Sequence, residues 1–180
     1  MKATGIVRRI DDLGRVVIPK EIRRTMRIRE GDPLEIYTDK DGEVIFKKYS
    51  PLGDLTDFAA QICDTLYKTA GHITAMCDRD TIIALSGGVR RELMDRRISK
   101  DLEHIMEGRQ IYRYSAGDTR LVPAEGVDRY GISVAAPVIS EGDLMGCVMF
   151  LYTEGSGILG ETELKLLQTV SGFLGKQMEI

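Results

Sequence analysis

Short apolar runs alternate with turn sequences through the first fifty residues. The β-branched runs TGIVRRI, from Thr4, and RVVIP, up to Pro19, predict two strands around the turn DDLG. Pro19 ends the second strand because it lacks the N–H that a ladder needs, and it suits the first turn of a helix over residues 20–28. The runs PLEIYTD and EVIFKKY, joined by KDG, predict a hairpin.

A second pattern follows YSPLGD, a stretch with the Pro, Gly and Ser of a linker. Apolar residues at helical spacing predict helices over residues 55–70 and 160–178, and residues 89–107 predict one or two more. The runs HITAMCD, TIIALSG, QIYRYS, YGISVAAPVIS and LMGCVMFLYT predict strands between them. This order predicts an α+β fold with an antiparallel sheet covered by helices. We expect three segments: an N-terminal unit over 1–50, a linker over 51–54 and a C-terminal unit over 55–180.

The composition is that of a folded globular protein. Of the 180 residues, 43% are apolar and 29% charged, which argues against disorder. No apolar run approaches the roughly 18 residues of a membrane span, and charges interrupt the N-terminus where a signal peptide would need an apolar core. We therefore expect a cytoplasmic protein with no membrane partner.

The residue types that can bind metals or form disulfides are few and dispersed along the sequence. The three cysteines and two histidines form no CxxC or HxxxH pair. Buried thiols in a reducing compartment are the simpler interpretation, so we expect no metal site and no cofactor.

Positive charge is concentrated at the N-terminus. Residues 1–50 contain 12 Lys and Arg against 9 Asp and Glu, a net +3, whereas the other 130 residues contain 13 against 19, a net −6. A basic segment on an acidic body suggests that only this segment meets a polyanion.

The predicted short helix has two different sides. At about 100° per residue, Ile22 and Met26 share one side and are expected to be buried. Four cations share the outward sector: Lys20, Arg23, Arg24 and Arg27. Three more lie on the neighbouring predicted strands: Arg8, Arg9 and Arg15. An ordinary solvated face is the alternative, but an arginine fork can hold phosphate oxygens or a guanine edge with two hydrogen bonds.

About fifty residues with few apolar side chains bury little surface, and domains near this size often need partners. Two copies that interleave their hairpins would share one core and double the number of arginines. A two-fold dimer also suits DNA, since each half can read a similar half-site.

The run LGRVVIPKEIRR, with most of residues 3–49, resembles the swapped-hairpin DNA-binding domain of the AbrB transition-state regulators. The resemblance implies an intertwined homodimer that presents Arg8, Arg15, Arg23 and Arg24 to duplex DNA, with Arg9 where the family often has lysine. With Lys20, these residues form the candidate DNA-binding set. Family members read bent, loosely defined and often A·T-rich sites, which fits readout of shape and deformability.

The whole chain resembles the stage V sporulation regulators of endospore-forming bacilli. That resemblance implies a transcription factor that activates and represses genes in the forespore. It also implies a GAF domain from about residue 55 and a tetramer built from two dimers.

The predicted GAF-like domain offers weak candidates for an unknown small-molecule effector. The sequence SGGVRRE could cradle an anion at a helix N-terminus, or it could be a strand-to-helix turn that needs positive φ. The candidate residues are Ser86, Gly87, Gly88, Arg90 and Arg91. The stretch RYSAGDTRLVPAEGVDRYG is a pocket lid or a plain surface loop.

Other functions find less support. No G-x-S-x-G elbow surrounds Ser86, and neither His72 nor His104 has an evident acid partner, so we do not expect an enzyme. Swapped-hairpin domains also occur in antitoxins, which makes a protein-interaction module the alternative function. An antitoxin has an extended tail, whereas this chain continues into a strand-rich domain. The helices over residues 55–70 and 160–178 either cover their own sheet or form a bundle between subunits.

Overall fold

The computed structural model describes residues 4–88, 90–155 and 157–179, which divide into two compact units. The first unit ends at Tyr49 and the second begins at Ser50. Within the described ranges, no helix is both long enough and apolar enough to cross a membrane.

The first unit contains one helix and one hairpin, as predicted. Helix α1 is Lys20–Met26, and the strands are β1, Leu34–Thr38, and β2, Val44–Lys48. The strands pair antiparallel, with Ile36 opposite Phe46. The hairpin turn is closed by Asp39, whose Oδ1 accepts the N–H groups of Asp41 and Glu43 at 3.0 Å each. This is the turn chemistry that makes aspartate frequent at such positions.

Two runs predicted as strands are not strands in the single chain. The turn between them forms, because the Asp11 N–H donates to the Arg15 carbonyl at 3.0 Å. The flanking runs, residues 4–10 and 15–19, have no assigned strand partner in the part of the chain that the structure describes. The β-branched pattern shows a preference for extended backbone, but a strand also needs a neighbour to receive its hydrogen bonds.

Helix α1 buries less than the sequence predicts. Ile22 is half-buried, but Met26, expected in the buried stripe, is 56% exposed, and no α1 side chain is buried among the described residues. The helix ends at Met26 because Arg27 adopts a left-handed conformation with φ 51°. The stripe therefore faces a surface that this single chain leaves uncovered.

The second unit is an α+β domain with a five-stranded antiparallel sheet. The strand order is β4-β3-β7-β6-β5. The strands are β3, Ile73–Cys77; β4, Ile82–Ser86; β5, Tyr112–Arg113; β6, Gly131–Ser140; and β7, Asp143–Tyr152. The helices are α2, Pro51–Asp54; α3, Thr56–Ala70; α4, Arg90–Leu93; α5, Lys100–Glu107; and α6, Glu161–Gln177. The predicted fold class is confirmed.

Two apolar clusters make up the core of this unit. One joins α3 and α6 to the sheet through residues such as Leu66, Leu167 and Phe150. The other joins α5 to the sheet and includes Leu102 and Tyr130. The long strands β6 and β7 contribute to both clusters, which explains their nearly continuous apolar sequences.

Two details of this unit differ from the sequence predictions. Residues 51–54, expected as a linker, form α2, and Leu52 is fully buried in the core of the second unit. Phe173, one of the apolar residues at helical spacing that predicted this helix, is 49% exposed. Gly175 is buried there and lies so close to β6 that a Cβ at this position would collide with the carbonyl oxygen of Ile139. Helix α6 therefore packs on β6 through a glycine, which a hydrophobic wheel does not reveal.

Candidate nucleic-acid interface

The six predicted DNA-binding residues are all exposed in the first unit: Arg8, Arg9, Arg15, Lys20, Arg23 and Arg24. Three of them share α1, where seven residues span roughly 10 Å at 1.5 Å per residue. Pro19 precedes this helix with φ −58° and is buried, so the helix starts at a fixed backbone position. The helix thus presents a dense set of cations over a short length.

Arg15 is held in place by Asp11, an acidic residue outside the predicted DNA-binding set. Its Nε lies 2.8 Å from Oδ2 of Asp11, and Oδ1 of the same carboxylate accepts the Leu13 and Arg15 N–H groups. An Asp followed by a short turn is the local signal that could have identified it. Asp11 therefore shapes the turn and orients the guanidinium of Arg15.

An apolar groove of about 430 Å³ lies beside α1. Its lining includes Ile6, Ile18, Ile22, Met26, Ile28 and Phe46. Other large apolar side chains of the unit are also exposed, including Val7 at 90%. Folded chains rarely leave so much contiguous apolar surface uncovered unless a partner binds it.

The C-terminus of α1 is closed by a contact from the hairpin. The Ile28 N–H donates to the Arg23 carbonyl at 2.8 Å, and the Lys48 ammonium donates to the Arg27 carbonyl at 3.1 Å. Lys48 lies 21 residues from Arg27, so no local pattern could have revealed this contact.

The glycine loop of the second unit has a structural explanation. Gly87 has φ 112°, and a Cβ there would lie 3.1 Å from Cα of Ile73, while Gly88 has φ 83°. The loop follows Ser86 at the end of β4, and α4 behind it is only four residues long. Arg91 is exposed, whereas Val89 and the Arg90 side chain lie outside the described residues. Ligand binding by this loop stays a prediction.

The long stretch before β6 is fastened to the domain. The Arg120 guanidinium stacks over the Tyr152 ring at 5.1 Å and donates to the carbonyls of Arg129 and Thr153. Ser99 donates its hydroxyl to the Val122 carbonyl at 2.5 Å. These contacts fasten the stretch at Arg120 and Val122, whereas residues 115–120 are exposed, so its role as a pocket lid or a plain surface loop stays open.

Comparison with known proteins identifies the family. The family sequence model described as stage V sporulation protein T C-terminal, transcription factor, matches residues 54–179. The chain is 50% identical to stage V sporulation protein T of Bacillus subtilis (strain 168) over 180 residues, 99% of each chain. The chain belongs to the stage V sporulation protein T family. It is a transcription regulator of sporulation, as the whole-chain resemblance predicted.

Within this family member, the two units match different proteins. Residues 7–54 match the family described as antidote-toxin recognition MazE, bacterial antitoxin. The chain is also 53% identical over 72 residues to the transition state regulatory protein AbrB of Bacillus subtilis (strain 168), covering 39% of this chain and 72% of that protein. The predicted AbrB-type N-terminal domain is confirmed.

The second unit has a GAF-like fold. It is similar to the GAF domain from a phosphoenolpyruvate-protein phosphotransferase of Coxiella burnetii, with a TM-score of 0.51 and 16% identity, covering 69% of this chain and 82% of that one. The predicted GAF-like architecture of this sporulation regulator is confirmed.

Proposed function

We propose that two copies of this chain entwine their first units and bind duplex DNA through the six exposed cations. The contacts are Arg8, Arg9, Arg15, Lys20, Arg23 and Arg24. The observation that carries the proposal is their position on a unit whose apolar side chains remain uncovered in the single chain. The similarity to AbrB supports the same interpretation.

Interleaving would supply strand partners for two runs that have none among the described residues. Residues 4–10 and 15–19 are rich in β-branched side chains and would pair with a second copy of the chain. This pairing would satisfy their backbone hydrogen bonds and cover the groove beside α1. Fully burying one Val or Ile side chain contributes about 1.5–3 kcal/mol. Burial of the apolar residues that this unit leaves exposed would therefore give dimerisation a strong driving force.

The chemistry favours contacts to the DNA backbone and readout of its shape. Five of the six cations are arginines, whose planar forks hold two phosphate oxygens at once. Phosphate contacts position a protein without fixing a sequence, and the deformability of the duplex then selects among sites. This supports a regulator that recognises a loosely defined set of sites, and membership of a sporulation family supports action in the forespore.

We assign the second unit to assembly and to sensing of a small effector. Exposed apolar side chains on its outer helices, Tyr67 on α3 and Phe173 on α6, support pairing of two dimers into a tetramer. The Tyr112 hydroxyl is buried with no hydrogen-bond partner among the described residues, and a bound acceptor would satisfy it. An effector that binds only the folded state would raise the melting temperature.

An antitoxin-like role is the second candidate, favoured by the family match over residues 7–54. In that role the first unit would bind a protein, and affinity for DNA would be incidental. The match of residues 54–179 to a transcription-factor family supports DNA binding as the first candidate.

A salt titration of DNA binding by the full chain tests the proposed function. We expect the logarithm of affinity to fall linearly with the logarithm of salt, by about 0.9 for each phosphate contact. Replacing Arg23 and Arg24 with Ala should lower both the affinity and this slope. The control replaces two exposed lysines of the second unit, Lys68 and Lys165, with Ala. If the arginine variant binds as tightly as the control, α1 is not the DNA-binding element.

A further inference from the structure

We infer that Lys48 is a positioning residue for the DNA-contacting helix, acting through the carbonyl of Arg27. This inference rests on the proposed function, since α1 carries three of the proposed contacts. Lys48 ends β2, and its ammonium reaches the end of α1 at 3.1 Å from the Arg27 oxygen.

Helix α1 has little intrinsic support. It is seven residues long, its N-terminus has no side-chain cap, and none of its side chains is buried among the described residues. Isolated helices shorter than about 12 residues are marginal in water because nucleation is costly. Its cations at i, i+3 and i, i+4 spacing also repel one another. Contacts at its ends therefore decide how firmly it is held.

The C-terminal end is an unusual one. Arg27 takes the left-handed conformation, with φ 51° and ψ 41°, at a position where glycine is common. A side chain there is conformationally strained, so the surrounding contacts must maintain it. A cation at a helix C-terminus donates hydrogen bonds to the exposed carbonyls and interacts favourably with the negative end of the helix dipole. The half-buried Lys48 supplies such a cation.

The neighbouring lysine provides a comparison within the same strand. Successive strand residues point to opposite faces, so Lys47 faces away from Lys48. Lys47 pairs in register with Glu35, and its ammonium lies 6.0 Å from the centre of the Tyr37 ring. Both lysines add one positive charge to the same short strand, but the structure places only Lys48 against the end of α1.

It follows that Lys48 fixes the direction in which α1 presents Arg23 and Arg24. The Arg23 carbonyl lies in the same cap, since it accepts the Ile28 N–H at 2.8 Å. Loss of the Lys48 contact would loosen the last turn of the helix. The two arginines on that turn would then lose their fixed placement relative to the hairpin.

The test compares three full-length variants by hydrogen exchange of α1 and by affinity for duplex DNA. Lys48→Met should speed exchange in residues 19–29 and weaken binding at least tenfold more than Lys47→Met. Lys47→Met, which removes the same charge, should leave α1 exchange unchanged. Lys48→Arg, which keeps a cationic donor, should restore both properties. Equal effects of the two Met variants, or no rescue by Arg, would overturn the inference.

If Lys48→Met unfolds the whole first unit, a second substitution that should restore its stability still tests the inference. Arg27→Gly relieves the left-handed strain without removing the carbonyl, so the double variant should regain protection of α1. No recovery would overturn the role of the cap. If the wild-type chain failed to bind DNA at low salt, the proposed function would fall, whereas hydrogen exchange would still report on Lys48.

Discussion

Arg15 and Asp11 form an ion pair at the turn of the first unit, with Nε 2.8 Å from Oδ2. The other oxygen of the carboxylate accepts two backbone N–H groups, those of Leu13 and Arg15. An acidic residue therefore sits within the proposed DNA-binding surface for a structural reason. It builds the turn that carries Arg15 and sets the direction of its guanidinium.

The first prediction concerns the titration of this carboxyl. The backbone N–H of Arg15, its guanidinium and the Leu13 N–H lower the pKa of Asp11. An ordinary Asp titrates near pH 3.9, so the Asp11 midpoint should lie below that value. The ion pair therefore stabilises the turn fully at pH values above the ordinary pKa of Asp. This stabilisation is lost as the pH falls through the lower pKa of the folded state. A carbon-detected NMR titration measures the midpoint, and a value at or above 3.9 would contradict the ion pair.

The second prediction tests the entwined dimer. Val7→Asp places a charge where the proposed interface buries an apolar side chain, so the first unit should lose hydrogen-exchange protection. DNA affinity should fall at least a hundredfold, while residues 57–179 keep their protection, because the second unit has its own core. Thr38→Asp, at an exposed position on β1, is the control. A Val7→Asp chain with a protected first unit would rule out this interface.

Local patterns predicted the elements, and non-local contacts account for what they missed. The hairpin around Asp39 and the apolar strands of the second unit are encoded in neighbouring residues, so they could be predicted. The runs around Val7 are strand-like in sequence, yet they have no strand partner among the described residues, and the pairing proposed for them uses a second copy of the chain. The hydrogen bond between Lys48 and Arg27 joins residues 21 positions apart, so no periodicity of the sequence could have predicted it either.

The third prediction compares two glycines of α6. Gly175→Ala should lower the free energy of unfolding by about 1–3 kcal/mol, since its Cβ would collide with the Ile139 carbonyl oxygen and force β6 and α6 apart. Gly172→Ala meets no atom within 4 Å and should instead raise it by up to about 1 kcal/mol through helix propensity. Denaturant unfolding of both variants measures the difference. Equal effects would show that α6 does not pack on β6 at Gly175.

The fourth prediction concerns the three thiols, all of which are free and buried. Burial raises the pKa of Cys63 to about 12, and burial also raises the pKa values of Cys77 and Cys147. The pKa of Cys77 is raised further by the thiol of Cys147, which lies opposite it in the pairing of β3 with β7. Because the thiolate is the nucleophile, the native protein should react with a disulfide reagent at pH 8 at least a hundredfold more slowly than an exposed thiol.

A colorimetric thiol assay measures this difference. The native chain should show almost no rapid reaction, and three thiols should react at once in concentrated guanidinium chloride. Ser115→Cys, at an exposed position, should add one rapidly reacting thiol to the native protein. Rapid modification of native Cys77 or Cys147 would mean that the core around β3 and β7 opens readily. The packing of Cys77 against Met106, with 3.7 Å between their sulfur atoms, argues against such opening.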